Sequence, residues 1–185
     1  MLLRPLARAD RAPLARLLEA SGAFTPEEVA VALELIDLGT AAPPDPHYQF
    51  VVAAEPAPDG QGGEGGAVLG YACFGEAPMT EGSWDLYWIA VDPATQGRGV
   101  GRALLREAEA RVAARGGRQL LAETAGKPSY AATRAFYLAC DYREVARVPD
   151  FYRVGDDKVI YARGVAPTAS APAGERAGNT PEVPA

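Results

Sequence analysis

The stretch that most constrains this chain runs from Trp84 to Val112. An aromatic-rich run, Trp84 to Val91, reads as a strand and stops at Asp92-Pro93, because proline has no N–H to give a ladder. Gln96-Gly97-Arg98-Gly99-Val100-Gly101 follows, and Val100, Leu104, Ala108 and Val112 then recur every four residues as the apolar stripe of a helix. A strand that turns through glycines into a helix lets several backbone N–H groups converge at the positive end of the helix dipole. Such a cradle holds an anion, and a pyrophosphate fits it. Two nucleotide-binding patterns that use glycines in this way do not match: the third glycine of GxGxxG is Arg102 here, and no Gly-Lys pair precedes Ser or Thr. The remaining alternative is a plain glycine-rich turn.

Charge on the same segment favours the cradle. The helix and its borders carry Arg98, Arg102, Arg106, Arg111, Arg115 and Arg118 against Glu107 and Glu109, an excess of +4 in a chain whose net charge is −6. A solvated helix face mixes signs, so the local excess points to a bound polyanion such as the phosphates of coenzyme A. The later arginines either extend that footprint or are solvated surface.

The rest of the chain alternates strand and helix. Leu2 to Leu6 reads as a strand, and Asp10 then takes an N-cap position before Pro13 and the apolar Leu14, Leu17 and Leu18. Thr25-Pro26-Glu27-Glu28 opens a second helix with a capping residue, a first-turn proline and early acids, and Pro43 to His47 ends it. Tyr48 to Ala54 and Val68 to Gly75 read as strands joined by a flexible glycine-rich loop from Glu55 to Gly66. Gly116-Gly117 stops the arginine-rich helix. Leu120 to Thr124 is a strand and Tyr130 to Ala139 a helix; Tyr142 to Val148 and Val159 to Ala162 complete the sheet. Residues 165–185 hold no large apolar side chain except two valines, so a disordered tail is expected after a single domain over 1–164.

Cys73 and Cys140 lie far apart without a CxxC spacing, and His47 is the only histidine. Neither a metal site nor a disulfide framework is expected, and both cysteines read as small buried residues in reducing cytosol. No run approaches the roughly twenty apolar residues of a membrane span, and arginines interrupt the opening segment, so a cytoplasmic protein without a membrane partner is expected. An acidic balance argues against broad nucleic-acid binding.

Gln96-x-x-Gly99-x-Gly101 after a strand ending in Val-Asp-Pro resembles the acetyl-CoA signature of the GCN5-related N-acetyltransferases. Downstream, Tyr130 to Tyr142, a helix with a tyrosine near its end followed by an aromatic-led strand, is similar to that family's next block. The resemblance covers about residues 1–164. It implies an α/β fold: a mixed, mostly antiparallel sheet of six or seven strands, helices on both faces, split between the third and fourth long strands where acetyl-CoA enters. It implies an enzyme that moves acetyl from acetyl-CoA to a primary amine in a ternary complex. Val91, Gln96, Gly97, Arg98, Gly99, Val100, Gly101 and Arg102 are the expected donor-binding residues. One departure stands out: Tyr130 occupies the place where the family often has an asparagine that contacts the pantetheine arm.

Acetyl transfer needs a neutral amine, stabilisation of an oxyanion and a proton for the departing thiolate. The resemblance implies a bulge that frees the N–H near Val91 for the thioester carbonyl, and a proton from the Tyr137 phenol. Asp85 stands where several family members have a glutamate base; strand alternation would put it on one face with Tyr87, Ile89 and Val91, and an aspartate there needs a bridging water. Glu123 is the rival base. Trp84, Tyr87 and Trp88 are either core or acceptor-pocket lining, and the turn at Gly155-Asp156 resembles a loop that walls the acceptor site. The acceptor is a small-molecule amine or a peptide N-terminus. Glu76, Glu81, Asp85, Glu123, Asp150, Asp156 and Asp157 fall on the expected acceptor side and favour a cationic amine, unless they are ordinary solvated acids. Neither cysteine sits in a nucleophile motif, so no acyl-enzyme is expected. The competing class is a non-catalytic CoA-binding sensor of the same fold, which would keep the glycines and release no thiol.

Overall fold

The computed structural model describes residues 1–56 and 66–165. Seven strands form one sheet in the order β1-β2-β3-β4-β5-β7-β6: β1 is Leu2–Arg4, β2 Gln49–Ala54, β3 Val68–Glu76, β4 Ser83–Val91, β5 Gln119–Ala125, β6 Arg143–Arg153 and β7 Asp156–Gly164. All neighbouring pairs are antiparallel except β4 and β5. Most of the glycine-rich segment expected as a flexible loop, and all of the expected tail beyond Val165, lie outside the described residues.

Helices cover both faces. Along α3 (Val100–Ala114), the stripe of Val100, Leu104, Ala108 and Val112 is at most 3% exposed. With Tyr137 of α4 (Ala131–Ala139), it packs on one face against Phe74, Trp84, Leu86, Leu120 and Tyr161. On the other face, α1 (Arg11–Ser21) and α2 (Pro26–Gly39) bury Leu14, Leu18 and Ile36 against Val52, Tyr71 and Ala90. Each fully buried Leu or Ile contributes about 1.5–3 kcal/mol of apolar transfer, so these stripes hold the helices in place.

Local signals account for most boundaries. Thr25 Oγ1 accepts from the Glu28 N–H at 3.2 Å while Glu28 Oε2 accepts from the Thr25 N–H at 2.7 Å, a reciprocal cap. Gly116, at φ 76°, follows the last turn of α3. Asp10 corrects the expectation of an N-cap. It lies in a 3-10 turn at Arg8–Asp10, its carboxylate takes both Arg4 guanidinium nitrogens at 2.6 and 2.7 Å, and no side chain caps α1. The buried guanidinium of Arg4 outcompetes the helix end for that carboxylate.

The sheet forks in its middle. β4 and β5 pair only from Ser83↔Gln119 to Leu86↔Ala122. Beyond that point β4 continues along β3 to Val91, and β5 continues along β7 to Ala125. The last hairpin is longer than the sequence suggests: β6 and β7 reach the turn at Val154-Gly155, and every residue of β6 is exposed at the sheet edge. Its register slips between Val148 and Arg153, where Asp150 has φ 54°.

Candidate active site

The donor side is built where β4 ends. Asp92 Oδ1 accepts from the Ala94 N–H at 2.9 Å, Thr95 Oγ1 donates to the Asp92 carbonyl at 3.1 Å, and Pro93–Thr95 makes a 3-10 turn. Gly97 and Gly99 then take φ of 77° and 81°, the left-handed region that glycine enters without a Cβ penalty. A Cβ on either would meet no heavy atom within 4 Å. No side chain caps α3, so the first-turn N–H groups of Val100, Gly101 and Arg102 have no intrahelical acceptor and point out of the helix end. Gly101 serves a different purpose: a Cβ there would lie 3.3 Å from Phe136 Cε2, so its smallness lets α3 seat against α4.

These residues border a cleft of about 440 Å³ between the end of β4, the start of α3 and one face of α4. Val91, Gln96, Gly97, Gly99, Val100, Gly101 and Arg102 line it, together with Ile89, Thr95, Ala132, Thr133 and Phe136. The α4 contributors were missed in sequence, although their spacing of three and four is the period of one helix face. Arg98 does not line the cleft; it is 60% exposed and stands 4.0 Å from Glu55. Arg102 reaches from the rim to the Ala139 carbonyl at 2.9 Å.

The later arginines are engaged elsewhere. Arg111 pairs with Glu107 at 2.8 Å and donates to the Phe50 carbonyl, Arg115 donates to Gln49 Oε1, and Arg118 donates to the Glu81 carbonyl. The polyanion footprint therefore does not run the length of the helix.

A bulge on β4 decides which groups face this cleft. Phe74 pairs with Leu86 and Cys73 with Trp88, so Tyr87 is an extra residue that β3 does not match. The side-chain phase flips there. Leu86, Ile89 and Val91 pack on the α3 face, whereas Trp88 and Ala90 pack towards α1 and α2. The expected alignment of Asp85 with Ile89 and Val91 is thereby corrected: Asp85 belongs to the opposite face. Across six residues at about 3.3 Å each, it is also roughly 20 Å along the strand from Val91.

Main-chain directions follow from the ladder. The Asp92 N–H bonds the Leu69 carbonyl at 2.9 Å, and alternation in an antiparallel pair then turns the Val91 N–H away from β3, into the fork that β5 has left.

Asp85 is half-buried, and burial, with the Glu123 charge as a second cause, holds its carboxyl above the ordinary range. Glu123 is exposed on β5 and pairs with Lys158 Nζ at 2.6 Å. Tyr137 is 4% exposed and does not line the cleft; its ring stacks on Tyr161 at 5.6 Å and tilts against Phe136 and Tyr142. Burial raises its phenol well above the usual value. Among the other acids of the expected acceptor side, Asp156 faces Arg153 at 3.7 Å and Asp157 pairs with Arg147 at 3.0 Å. Charge on that side is therefore partly neutralised from within. Trp84 is core, Tyr87 is 36% exposed and edge-on to Tyr48, and Cys73 and Cys140 are buried free thiols.

No helix among the described residues is long and apolar enough to cross a membrane. A family model described as an acetyltransferase (GNAT) domain matches residues 46–144. No curated protein matches the chain in sequence. A GNAT-family protein from Desulfovibrio desulfuricans is 44% identical, covers 89% of this chain and 99% of its own, and superposes with a TM-score of 0.78. An aminoglycoside 6'-N-acetyltransferase complexed with coenzyme A shares the fold at 16% identity, covering 92% and 100% of the two chains with a TM-score of 0.67. The ribosomal-protein-S18-alanine N-acetyltransferase from Escherichia coli does so at 20% identity, 94% and 99% coverage and a TM-score of 0.66. A forked seven-stranded sheet, left-handed glycines at the mouth of α3 and a 44% identical relative agree, and the chain belongs to the GNAT family of acetyltransferases.

Proposed function

We infer that the chain transfers the acetyl group of acetyl-CoA to the primary amine of a small molecule or a peptide N-terminus, directly and within a ternary complex. One observation carries this reading: the Val91 N–H turns into the fork beside the uncapped start of α3, so a carbonyl and a phosphate can be held at once by the main chain. The structure of a coenzyme A complex with the same fold supports the choice of donor. Gly97, Gly99, Val100, Gly101 and Arg102 cradle the pyrophosphate, Gln96 borders it, and exposed Arg98 steers it.

The Val91 N–H polarises the thioester carbonyl and holds the oxyanion as the amine attacks. A C–N bond forms and the C–S bond breaks. The proton lost by the amine leaves along a chain of waters on the acceptor side; Asp85, roughly 20 Å along β4 from Val91, is the end of that chain, and its raised affinity for protons suits a terminal acceptor, while Glu123, held by Lys158, keeps that site polar. Tyr137 retains its proton throughout the neutral range, and the reading makes it the hydrogen-bond donor to the departing sulfur, which requires the thioester to reach past Phe136 to a ring that is 4% exposed.

Calorimetric titration with acetyl-CoA, followed by thiol release with a panel of amines, tests the reading. Binding of acetyl-CoA with turnover of at least one amine is expected. A chain that does not bind acetyl-CoA refutes the donor site, and binding with no thiol release on broad panels favours the sensor.

A further inference from the structure

Only Gly22 to Thr25 connect α1 to α2, and residues remote in sequence fasten this connection twice. The Phe24 ring lies 5.5 Å from that of Trp88, tilted by 40°. The Tyr130 phenol donates to the Ala23 carbonyl at 2.9 Å, across 107 positions of sequence. Trp88 belongs to the part of β4 that has parted from β5, and Tyr130 stands in the 3-10 turn just after β5. The two anchors therefore stand on the two prongs of the fork. Trp88 packs with the α1 and α2 cluster, so the connection crosses the fork on the face opposite the α3–α4 cleft.

Its ends are fixed independently. Gly22 closes α1 at φ 61°, and the Thr25–Glu28 reciprocal cap opens α2. The Lys127 ammonium, 4.9 Å above the Tyr130 ring, adds a cation–π contact that holds the ring in place. Tyr130 is half-buried, and no core cluster includes it. Its hydroxyl donates to the carbonyl of the connection, so its reach is spent on spanning the fork.

We propose that Tyr130 is a specificity-determining residue: its hydrogen bond to Ala23, with Phe24 on Trp88, straps the α1–α2 connection over the acceptor side of the fork, admitting amines on slender unbranched chains and turning away ring-borne amines and bulk water. The proposal rests on the acetyl-transfer reading above and names the substrate class of that site. An amine attacking from this face passes the strap, and a bulkier one must first break a hydrogen bond and a ring contact.

The test uses the full chain, acetyl-CoA and two amines of equal carbon number, n-hexylamine and cyclohexylamine, with thiol release also measured in water alone. The wild type is expected to prefer n-hexylamine. Tyr130→Phe keeps the ring and loses the donor; it should raise the kcat/KM of cyclohexylamine relative to n-hexylamine, and the rate of acetyl-CoA hydrolysis, by about three- to tenfold, the worth of one hydrogen bond. Phe24→Ala, which releases the other anchor, should act in the same direction. Amide exchange of residues 22–25 should quicken in both variants while the Kd for acetyl-CoA stays within about twofold. A wild type that prefers cyclohexylamine, an unchanged amine ratio despite faster exchange, or unchanged exchange would each overturn the proposal. If neither amine reacts with any of the proteins, hydrolysis decides: an increase in Tyr130→Phe supports the strap, and none overturns it. A wild type that fails to bind acetyl-CoA brings down the donor reading itself, a failure visible in calorimetry before any amine is added.

Discussion

Leu86 and Trp88 lie on opposite faces of the sheet although only Tyr87 separates them. In an unbroken strand, residues two apart share a face. The unmatched Tyr87 advances the phase by one, so the last third of β4 presents Ile89 and Val91 to the α3–α4 cleft, while Asp85 looks the other way. Donor groups and candidate base are thereby separated across the sheet, and the reactants are expected to meet from its two sides.

Gly99→Val should weaken acetyl-CoA binding by about 1–3 kcal/mol, because a β-branched residue is strained at φ 81° and its side chain would enter the space in front of the α3 N–H groups. Gly155→Val is the control. It has the same strain, φ 82°, at the tip of the β6–β7 hairpin, and should cost stability without changing affinity. Equal affinities for both variants in calorimetry would show that the glycine junction does not hold the donor.

Tyr137→Phe should leave acetyl-CoA binding intact and reduce kcat by about ten- to a hundredfold, since only the hydrogen bond to the sulfur is lost while the ring stack with Tyr161 remains. Steady-state kinetics would decide. Wild-type kcat in this variant would make the residue a packing group alone.

Asp85→Asn separates stability from catalysis. The Asp85 carboxyl binds its proton more tightly folded than unfolded, so its stabilising contribution is complete below the ordinary carboxylate range and is lost as pH rises through the raised value. The asparagine variant should therefore melt higher than wild type at neutral pH, by about 1–2 °C for a partly screened group, and lose this advantage in acid. Turnover should fall, and the acidic limb of its pH profile should flatten. A lower melting temperature at neutral pH would contradict the burial argument.

Val165 is the last described residue, and it is docked: it is 9% exposed and its N–H bonds the Arg118 carbonyl at 2.9 Å. Truncation after Val165 should leave the melting temperature unchanged. Truncation after Gly164 should lower it by about 3–5 °C, the loss of one buried valine. Identical melting curves for the two truncations would place the edge of the domain earlier.

What could be read in the sequence was local. The strand stop at Pro93, the left-handed glycines, the Thr25 cap and the four-residue stripe of α3 each follow from a few consecutive residues, and the fold rests on them. What escaped depended on partners. The bulge at Tyr87 is a property of how β4 meets Cys73 and Phe74, so β4 alone cannot reveal it. Asp10 looks like a cap until folding brings Arg4 to it. Arg111, Arg115 and Arg118 look like free positive charge until β2 and the β3–β4 turn supply their acceptors. Phe136 and Tyr137 are neighbours in sequence, but the pitch of α4 sends one to the cleft and the other into the core.

The outer edge of β6 carries a further consequence. Eleven exposed residues that include Val145, Val148 and Phe151 would ordinarily invite a second chain to add a strand and start a growing stack. Pro149 has no N–H to offer such a chain, and the left-handed Asp150 throws the next residues out of register, so any intruding strand loses its footing midway. Variants that straighten residues 148–150 would then reveal themselves first as precipitates in concentrated samples, well before any change in the chemistry.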